Sequence, residues 1–274
     1  MVGRRNSALN VMKYVALIVL LFIMVFPLLW MFRVALMPVG GLSGNDLVAG
    51  GFTFGNFVDL FARTNMGRHL FNSLLVGLVV TVGNLLFCFM VAYTMARYST
   101  LLNRALFVTV ILVLMIPAHV LIIPLYLLCV KAHIFDSYWA LIFPWLVNPI
   151  GIFLVKQYIE SIPPSMEEAA RVDGAGELRI LFTVVMPVCR PALAVLAIQV
   201  FFTNWNSFLF PYILTSSEQL RTLPVGLALF QGHQAIDWQH LMAGSAVAVI
   251  PVLVLFILLQ RRIVSGITAG AIKQ

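Results

Sequence analysis

Charge is scarce in this chain. Of its 274 residues 10% are Asp, Glu, Lys or Arg and 62% are hydrophobic, whereas a soluble domain carries roughly 25% charged residues. That balance excludes a water-exposed globular fold and points to a bilayer. Six runs contain no charged residue at all: Tyr14 to Phe32, Leu70 to Ala96, Ala105 to Val130, Ser137 to Val155, Pro191 to Ser217 and Leu241 to Gln260. Each is long enough to cross the hydrocarbon core as a helix of about 20 residues. The expected fold class is therefore an all-α membrane protein with six transmembrane helices in one domain over 1–274, the spans covering about 14–36, 70–96, 105–130, 137–157, 191–215 and 241–260. The first run follows Arg4, Arg5 and Lys13 as a signal peptide would, but it exceeds the length of an h-region and no small-x-small cleavage pattern follows it. It reads as an uncleaved first helix.

Other absences narrow the chemistry. Cys88, Cys129 and Cys189 stand alone, without the spacing of a metal site or a redox couple. They read as small apolar packing residues. There is no G-x-x-x-x-G-K-S/T phosphate loop, no H-E-x-x-H zinc pair, no G-x-S-x-G elbow and no paired aspartate cluster. No catalytic or metal-ligating residue is assigned, no cofactor is expected on this chain, and a membrane enzyme is set aside. Secondary transporters place an acid, a base or an unwound helix at mid-membrane to bind a coupling ion. The six runs hold no Asp, Glu, Lys or Arg, which counts against the alternative of an ion-gradient-driven transporter or channel subunit.

The charges that are present fall unevenly. With the N-terminus inside, the inner segments hold Arg4, Arg5, Lys13, Arg97, Arg104, Lys156, Arg171, Arg179, Arg190, Arg261, Arg262 and Lys273, and the outer ones Arg33, Arg63, Arg68, Lys131 and Arg221. The excess of basic residues on one side places both termini in the cytoplasm. Topology and anionic lipid headgroups then account for the net +7. No basic patch interleaved with aromatics calls for nucleic acid. "GGFTFGNFVDLF" reads as a loop entering a short amphipathic helix near the outer surface, and the segment from Ser216 to His240 is long enough to fold over the outer mouth of a cavity.

The loop at 158–190 differs in kind. Glu160, Glu167, Glu168, Asp173 and Glu177, half of the ten acidic residues, fall between Tyr158 and Arg179. "SIPPSMEEAARV" is a helix start, with Pro163 and Pro164 fixing the approach, Ser165 as the expected N-cap, and Glu167 and Glu168 in the first turn. Gly174 and Gly176 stop it, and a second short helix, Glu177 to Val185, leads through Pro187 to the fifth span. A solvated connector needs neither two helices nor the pair Ala169 and Ala170, whose small side chains admit another protein surface close to the backbone. The loop reads as a docking element.

"EAARVDGAGELRILFTVVMP", Glu168 to Pro187, resembles the EAA motif of permease subunits in bacterial ABC importers: Glu-Ala-Ala, three residues, Gly, nine residues, Ile-x-Leu-Pro. Glu168, Ala169, Ala170, Gly174 and Pro187 match in register, with Val184 in place of the isoleucine and Met186 in place of the leucine. "NWNSFLFP", Asn204 to Pro211, and "QRRIVSGITAGAIKQ", Gln260 to Gln274, are similar to the fifth span and tail of carbohydrate importer permeases of the maltose permease type, on the shorter of the two partner subunits. The resemblance implies a type I ABC importer permease fold in a bacterial cytoplasmic (inner) membrane. It also implies a second homologous permease, two cytoplasmic ATPase subunits that bind ATP and Mg, and an extracytoplasmic solute-binding protein. Glu168 would then supply a charge contact or cap to the ATPase, Ala169 and Ala170 close packing, Gly174 the turn and Pro187 the approach to the fifth helix. The tail from Arg261 to Gln274 has two open readings, a further ATPase contact or a frayed terminus.

For the pathway, uncharged polar residues within the spans are the candidates: Asn84, His119, Asn148, Gln199, Asn204 and Asn206, with Trp205 or Trp145 to stack on the apolar face of a sugar ring. Amides can bind hydroxyls, and they can equally bond helix to helix. His119, between Pro117 and Pro124, is placed to satisfy a carbonyl freed by a proline kink.

Overall fold

The computed structural model describes residues 2–38, 51–230 and 236–271, with side chains from Leu9 to Leu258. Among the described residues there are helices and turns and no β-strand. The chain divides into two compact units, Met1–Met66 with Leu227–Ile250, and Gly67–Gly226 with Pro251–Gln274.

In the first unit, α1 (Val2–Ala35) turns nearly all of its apolar side chains from Leu9 to Phe32 outward, as a lipid-facing span does. Its C-terminal carbonyls lack intrahelical partners, and Asn56 supplies them. The Asn56 amide donates to Ala35 O at 2.8 Å and to Met37 O at 2.7 Å from the first turn of α2 (Gly55–Arg63). This α2 is the expected amphipathic helix, with Asn56 and Leu60 buried and Phe61 and Val58 exposed. The Arg33 guanidinium lies 4.9 Å over the Phe52 ring.

The second unit takes up nearly all of α3 (Met66–Arg97), followed by α4 (Leu101–Leu114), α5 (Ile122–Lys131), α6 (Tyr138–Ile142), α7 (Pro149–Glu160), α8 (Ser165–Val172), α9 (Glu177–Arg179), α10 (Met186–Val188), α11 (Arg190–Trp205), α12 (Leu209–Leu214) and α13 (Leu223–Ala228). The last helix, α14 (Trp238–Ala271), begins in the first unit and contains Pro251. The expected tail contact of Arg261 to Gln274 lies outside the described side chains.

Among the described residues four stretches are apolar and long enough to cross a membrane as they stand: Leu9–Ala35, Met66–Arg97, Tyr138–Glu160 and Trp238–Leu258. The third and fifth expected spans are broken instead. Leu101–Leu114 and Ala118–Lys131 meet at 98°, because Pro117 has no N–H to give and disfavours helical geometry at Ile116. Glu177–Val188 and Arg190–Trp205 meet at 79° around Cys189, with Pro191 at the start of α11. The fifth run also unwinds after Trp205 and resumes as α12, so 191–215 is not one helix. The Asn206 backbone N–H and side-chain amide both donate to Phe202 O, at 3.1 and 2.8 Å, and close the helix end there. His119 stacks its ring on Phe210, 5.9 Å between centroids.

One apolar core fills the second unit. Val80, Cys88 and Phe89 of α3, Ile152, Val155 and Ile159 of α7, and Leu196 and Val200 of α11 are buried together. Asn148 caps α7 by accepting from the Gly151 N–H at 2.9 Å, with Pro149 in its first turn. Gly151 is where three helices close on one another, since a Cβ there would lie 2.9 Å from Leu196 Cδ1, 3.2 Å from Asn84 Oδ1 and 3.2 Å from Cys88 Sγ. Away from the core, Asp136 ties two turns. Its Oδ1 accepts from Ser216 N at 2.8 Å and from Ser217 N and Oγ at 3.0 Å each. Burial pushes this carboxyl up, but the hydrogen bonds from Ser217 and Ser216 outweigh it and hold the pKa below the usual aspartate value.

Overpacking a tight helix crossing costs about 1–3 kcal/mol, so Gly151→Leu is expected to lower the melting temperature in detergent. Gly176→Ala is expected to leave it unchanged, since that glycine has φ −72° and open space around it. A depressed carboxyl pKa stabilises above the unfolded value and ceases to do so as pH falls through the folded one. Amide protection at Ser216 and Ser217, read by hydrogen exchange, is therefore expected to fall below about pH 4 and to lose that acid step in Asp136→Asn.

Candidate functional site

The loop at 158–190 starts where α7 ends. Pro164 takes the N-cap position of α8 and makes no side-chain cap bond, so the expected Ser165 cap is not formed and Ser165 is the first helical residue. Glu167 and Glu168 occupy the first turn as expected, but their surroundings are opposite. Glu168 is exposed, while Glu167 is 2% exposed.

Glu167 is gripped by α3. The Arg97 Nε donates to Glu167 Oε1 at 2.6 Å, and Tyr93 Oη donates to Oε2 at 3.0 Å. Tyr93 and Arg97 are one turn apart on α3 and so share a face. Arg97 Nη2 also donates to Ile162 O at 3.0 Å, which holds the segment entering α8. Removing one partner from a buried ion pair leaves an uncompensated charge and costs about 3–5 kcal/mol. The far limb is tied as well. Arg171 donates to both Glu177 oxygens, at 2.8 and 3.2 Å, and Tyr98 Oη donates to Glu177 at 3.1 Å. Burial, then its bond to Glu177, raises the Tyr98 pKa and keeps the phenol a donor.

Gly174 closes α8 at φ +82°. A Cβ at that position would touch nothing within 4 Å, so backbone conformation, not space, requires glycine. The second helix runs from Glu177 to Val188, with π-helical turns over Ile180–Val185, rather than stopping at Val185. Pro187 sits in the first turn of α10, two residues before Cys189, which is buried in the 79° bend. The outward side of the loop carries Glu168, Ala169 and two apolar side chains that are strongly exposed, Val172 at 88% and Leu178 at 69%. Ala170 is half-buried against the core.

A cavity of about 440 Å³ lies in the same unit, lined by Asn84, Trp145, Asn148, Gln199, Thr203 and Asn204 among apolar residues, with no charged side chain on its wall. The predicted pathway residues Asn204, Asn148 and Trp145 therefore meet. Trp205 and Asn206 do not join them. Trp205 is buried with its ring stacked on Phe201 at 5.6 Å, and Asn206 is exposed beyond the end of α11. Successive residues of a helix point about 100° apart, so the three cannot face one cavity together. The amides at the wall are partly committed: Asn84 Nδ2 donates to Trp145 O at 2.6 Å and Asn204 Nδ2 to Val200 O at 3.0 Å.

Sequence reasoning missed the role of Glu167 and its partners. The available signal was the cation Arg97, closing the second run, and an acid doublet with a single docking position to fill.

Residues 88–268 match the family described as binding-protein-dependent transport system inner membrane component. The chain is 35% identical over 257 residues to the arabinooligosaccharides transport system permease protein AraQ of Halalkalibacterium halodurans, with 92% of each chain covered. It is 31% identical over 275 residues to the trehalose/maltose transport system permease protein MalG of Thermococcus litoralis, with 98% of this chain and 99% of that one covered. Its fold is similar to a chain in the crystal structure of a bacterial ABC transporter involved in the import of the acidic polysaccharide alginate, at a TM-score of 0.85 and 20% identity over 95% of this chain and 98% of that one. On its residues 88–268 and on these relatives, the chain belongs to the inner-membrane permease components of binding-protein-dependent, ABC-type transport systems.

Proposed function

We propose that this chain is one of two permease subunits of an ATP-driven importer for a sugar, that it forms half of the translocation pathway, and that it takes its driving force from a cytoplasmic ATPase through the EAA loop. The observation that carries this reading is the inverted exposure of α8, which buries a carboxylate and turns Ala169 and Val172 outward. Burying an apolar side chain of that size is worth about 1.5–3 kcal/mol, and a solvated connector has no use for it. Glu168 supplies the charge at the rim of that face, Ala169 and Ala170 keep its relief low, Gly174 sets the turn, and Pro187 sets the approach to the bend.

ATP and Mg belong to the two ATPase subunits in this scheme, since the chain has no phosphate-binding loop. The further partners are a homologous permease, a solute-binding protein on the outer side and the lipid of a bacterial inner membrane, which the chain crosses six times with both termini in the cytoplasm. The two bent helix pairs supply the third and fifth crossings in this scheme. A substrate class of neutral, hydroxyl-bearing solutes is supported by a cavity wall of amides, a hydroxyl and an indole without charge. The arabino-oligosaccharide and trehalose/maltose systems of the relatives agree with it.

The decisive experiment is purification of the tagged chain in mild detergent with identification of co-purifying proteins. Recovery of a second permease and an ATPase is expected, with hydrolysis stimulated by a sugar-loaded binding protein. A chain that purifies alone and moves solute in liposomes without ATP would establish a gradient-driven transporter instead. Ala169→Trp is expected to cost the ATPase from the complex while leaving the melting temperature of the chain unchanged, because Ala169 is exposed. Gly174→Val is expected to strain the turn by about 1–2 kcal/mol and to reduce the co-purified ATPase as well, a loss that Gly176→Ala does not share.

A further inference from the structure

We infer that Arg97 and Tyr93 form a clamp on Glu167 that makes α8 and α3 move together, so that a displacement of the loop is delivered along α3 to the cavity wall at Asn84. The inference rests on the proposed ATPase docking, and it names the positioning residues that docking requires inside this chain.

Displacement at α8 reaches the rest of the chain by three routes. Two are covalent. One runs back through Ile162 and Ser161 into α7, but Pro163 and Pro164 interrupt it and α7 ends at Glu160, so this link can bend. One runs on through Gly174 and Gly176 into α9 and, past the 79° bend, α11, and it is interrupted by the glycine turn and by that bend. The third is the clamp. Its donors are set for rigidity, because each oxygen of the Glu167 carboxylate has its own partner on α3, Arg97 at 2.6 Å and Tyr93 at 3.0 Å. Two grips one helical turn apart resist rotation of the carboxylate as well as its withdrawal. The second donor of Arg97 takes Ile162 O, so the same guanidinium holds the proline-interrupted link. The Tyr93 ring sits edge-on to Tyr98, which holds Glu177 on the far limb, and both limbs of the loop are thereby referred to one helix end.

Helix α3 is suited to carry the motion. It is continuous from Met66 to Arg97 and has no proline inside. Thirteen residues separate Asn84 from Arg97, a helical distance of about 20 Å at 1.5 Å per residue. At the cavity end its contacts are again polar and specific. Asn84 Nδ2 donates to Trp145 O at 2.6 Å, Cys88 Sγ to Asn84 Oδ1 at 3.1 Å, and the Asn148 N–H to Cys88 Sγ at 3.4 Å. Trp145 and Asn148 both line the cavity. A helix fixed by hydrogen bonds at both ends transmits a shift that a greasy contact would absorb by sliding.

The test uses the assembled complex in lipid nanodiscs and needs no knowledge of the solute. Thr203, exposed on the cavity wall, is replaced by cysteine as a reporter, and the buried Cys88, Cys129 and Cys189 stay as they are. The rate of labelling by a membrane-impermeant maleimide is measured with and without ATP and Mg, with the complex carrying all three buried cysteines but not the reporter as the blank. The reporter rate is expected to change severalfold on ATP in the parent. In Glu167→Gln, with the ATPase still co-purifying, the ratio of the two rates is expected to fall toward one, a loss of the severalfold size that coupling between sites carries. A merely structural role would lower yield or melting temperature and leave the ratio of the two rates in place. An undiminished ratio in Glu167→Gln overturns the clamp while the docking stands. Should that variant fail to assemble, Arg97→Gln combined with Glu167→Gln removes both buried charges together and leaves neither unpaired, and an undiminished ratio there overturns the clamp equally. A parent complex that contains no ATPase overturns the proposed function, and this inference with it.

Discussion

The pairing of Glu167 with Arg97 is the contact on which the geometry of the loop depends, because a carboxylate 2% exposed has to be neutralised where it sits. A buried ion pair adds little stability over an apolar pair of the same shape, whereas half of one is strongly destabilising. Its value is therefore in specificity: Glu167 can be buried in the register that meets Arg97 and Tyr93, and in few others. Fixing Glu167 inward fixes the rest of α8. Helical geometry then turns Glu168, Ala169 and Val172 away, and the exposure of Val172 follows from the burial of Glu167. The surface read as the docking face is in this sense made by an interaction on the other side of the helix.

A second constraint comes from proline. Lipid offers no partner to a free carbonyl, so irregular backbone is tolerated at membrane depth where it is buried in protein or lines a cavity. The breaks in this chain follow that rule. The turn after Pro117 contributes Ala118 and Leu121 to the cavity wall, and the turn around Pro144 contributes Trp145, Val147 and Asn148. The freed groups find partners in side chains: Asn84 serves Trp145 O, and Asn148 serves the first turn of α7. The cavity is thus built from the places where spans fail to be regular, and its polar groups are there first because broken helices need them.

Composition and spacing made the class and the loop legible. Charge-free runs mark apolar segments whatever their course, and the spacing from Glu168 through Gly174 to Pro187 is a local property that survives without coordinates. Gly174 was readable for the same reason, since a left-handed turn after a short helix demands glycine. What stayed hidden depends on direction. A hydropathy run carries no information on a 98° bend, so 105–130 reads as one helix until Pro117 is given its geometric consequence. In the doublet Glu167 and Glu168 the two side chains are chemically the same, and the choice between them is made by Arg97, seventy residues earlier in the chain. The triplet Asn204, Trp205 and Asn206 looks like a single polar cluster in one dimension, yet the helix turns Trp205 into the core. Sequence reasoning that begins at a motif finds the surface offered to a partner more readily than the internal contact that holds it.

The commitments of the amides also bear on how this subunit handles a solute. Asn84 and Asn204 donate to backbone carbonyls, and the Asn148 carbonyl accepts from Gly151. The Asn84 donor cannot be given to a sugar hydroxyl without leaving Trp145 O unsatisfied in an apolar surround, at a cost of about 1–3 kcal/mol, whereas Val200 O keeps its helical bond when Asn204 turns away. What remains at the wall is the second amide N–H of Asn84 and of Asn204, the amide nitrogen of Asn148, acceptor capacity on Asn204, the amide of Gln199, the hydroxyl of Thr203 and the face of Trp145. In the proposed pathway these groups would hold neutral solutes weakly, through uncharged hydrogen bonds and stacking alone. A pathway benefits from that weakness, because a subunit that held its cargo firmly would have to spend the displacement of its loop on dislodging it. The wall is polar enough to keep a hydroxylated solute from meeting bare hydrocarbon, and its hydrogen bonds are directed inward, to the broken helices that shape it.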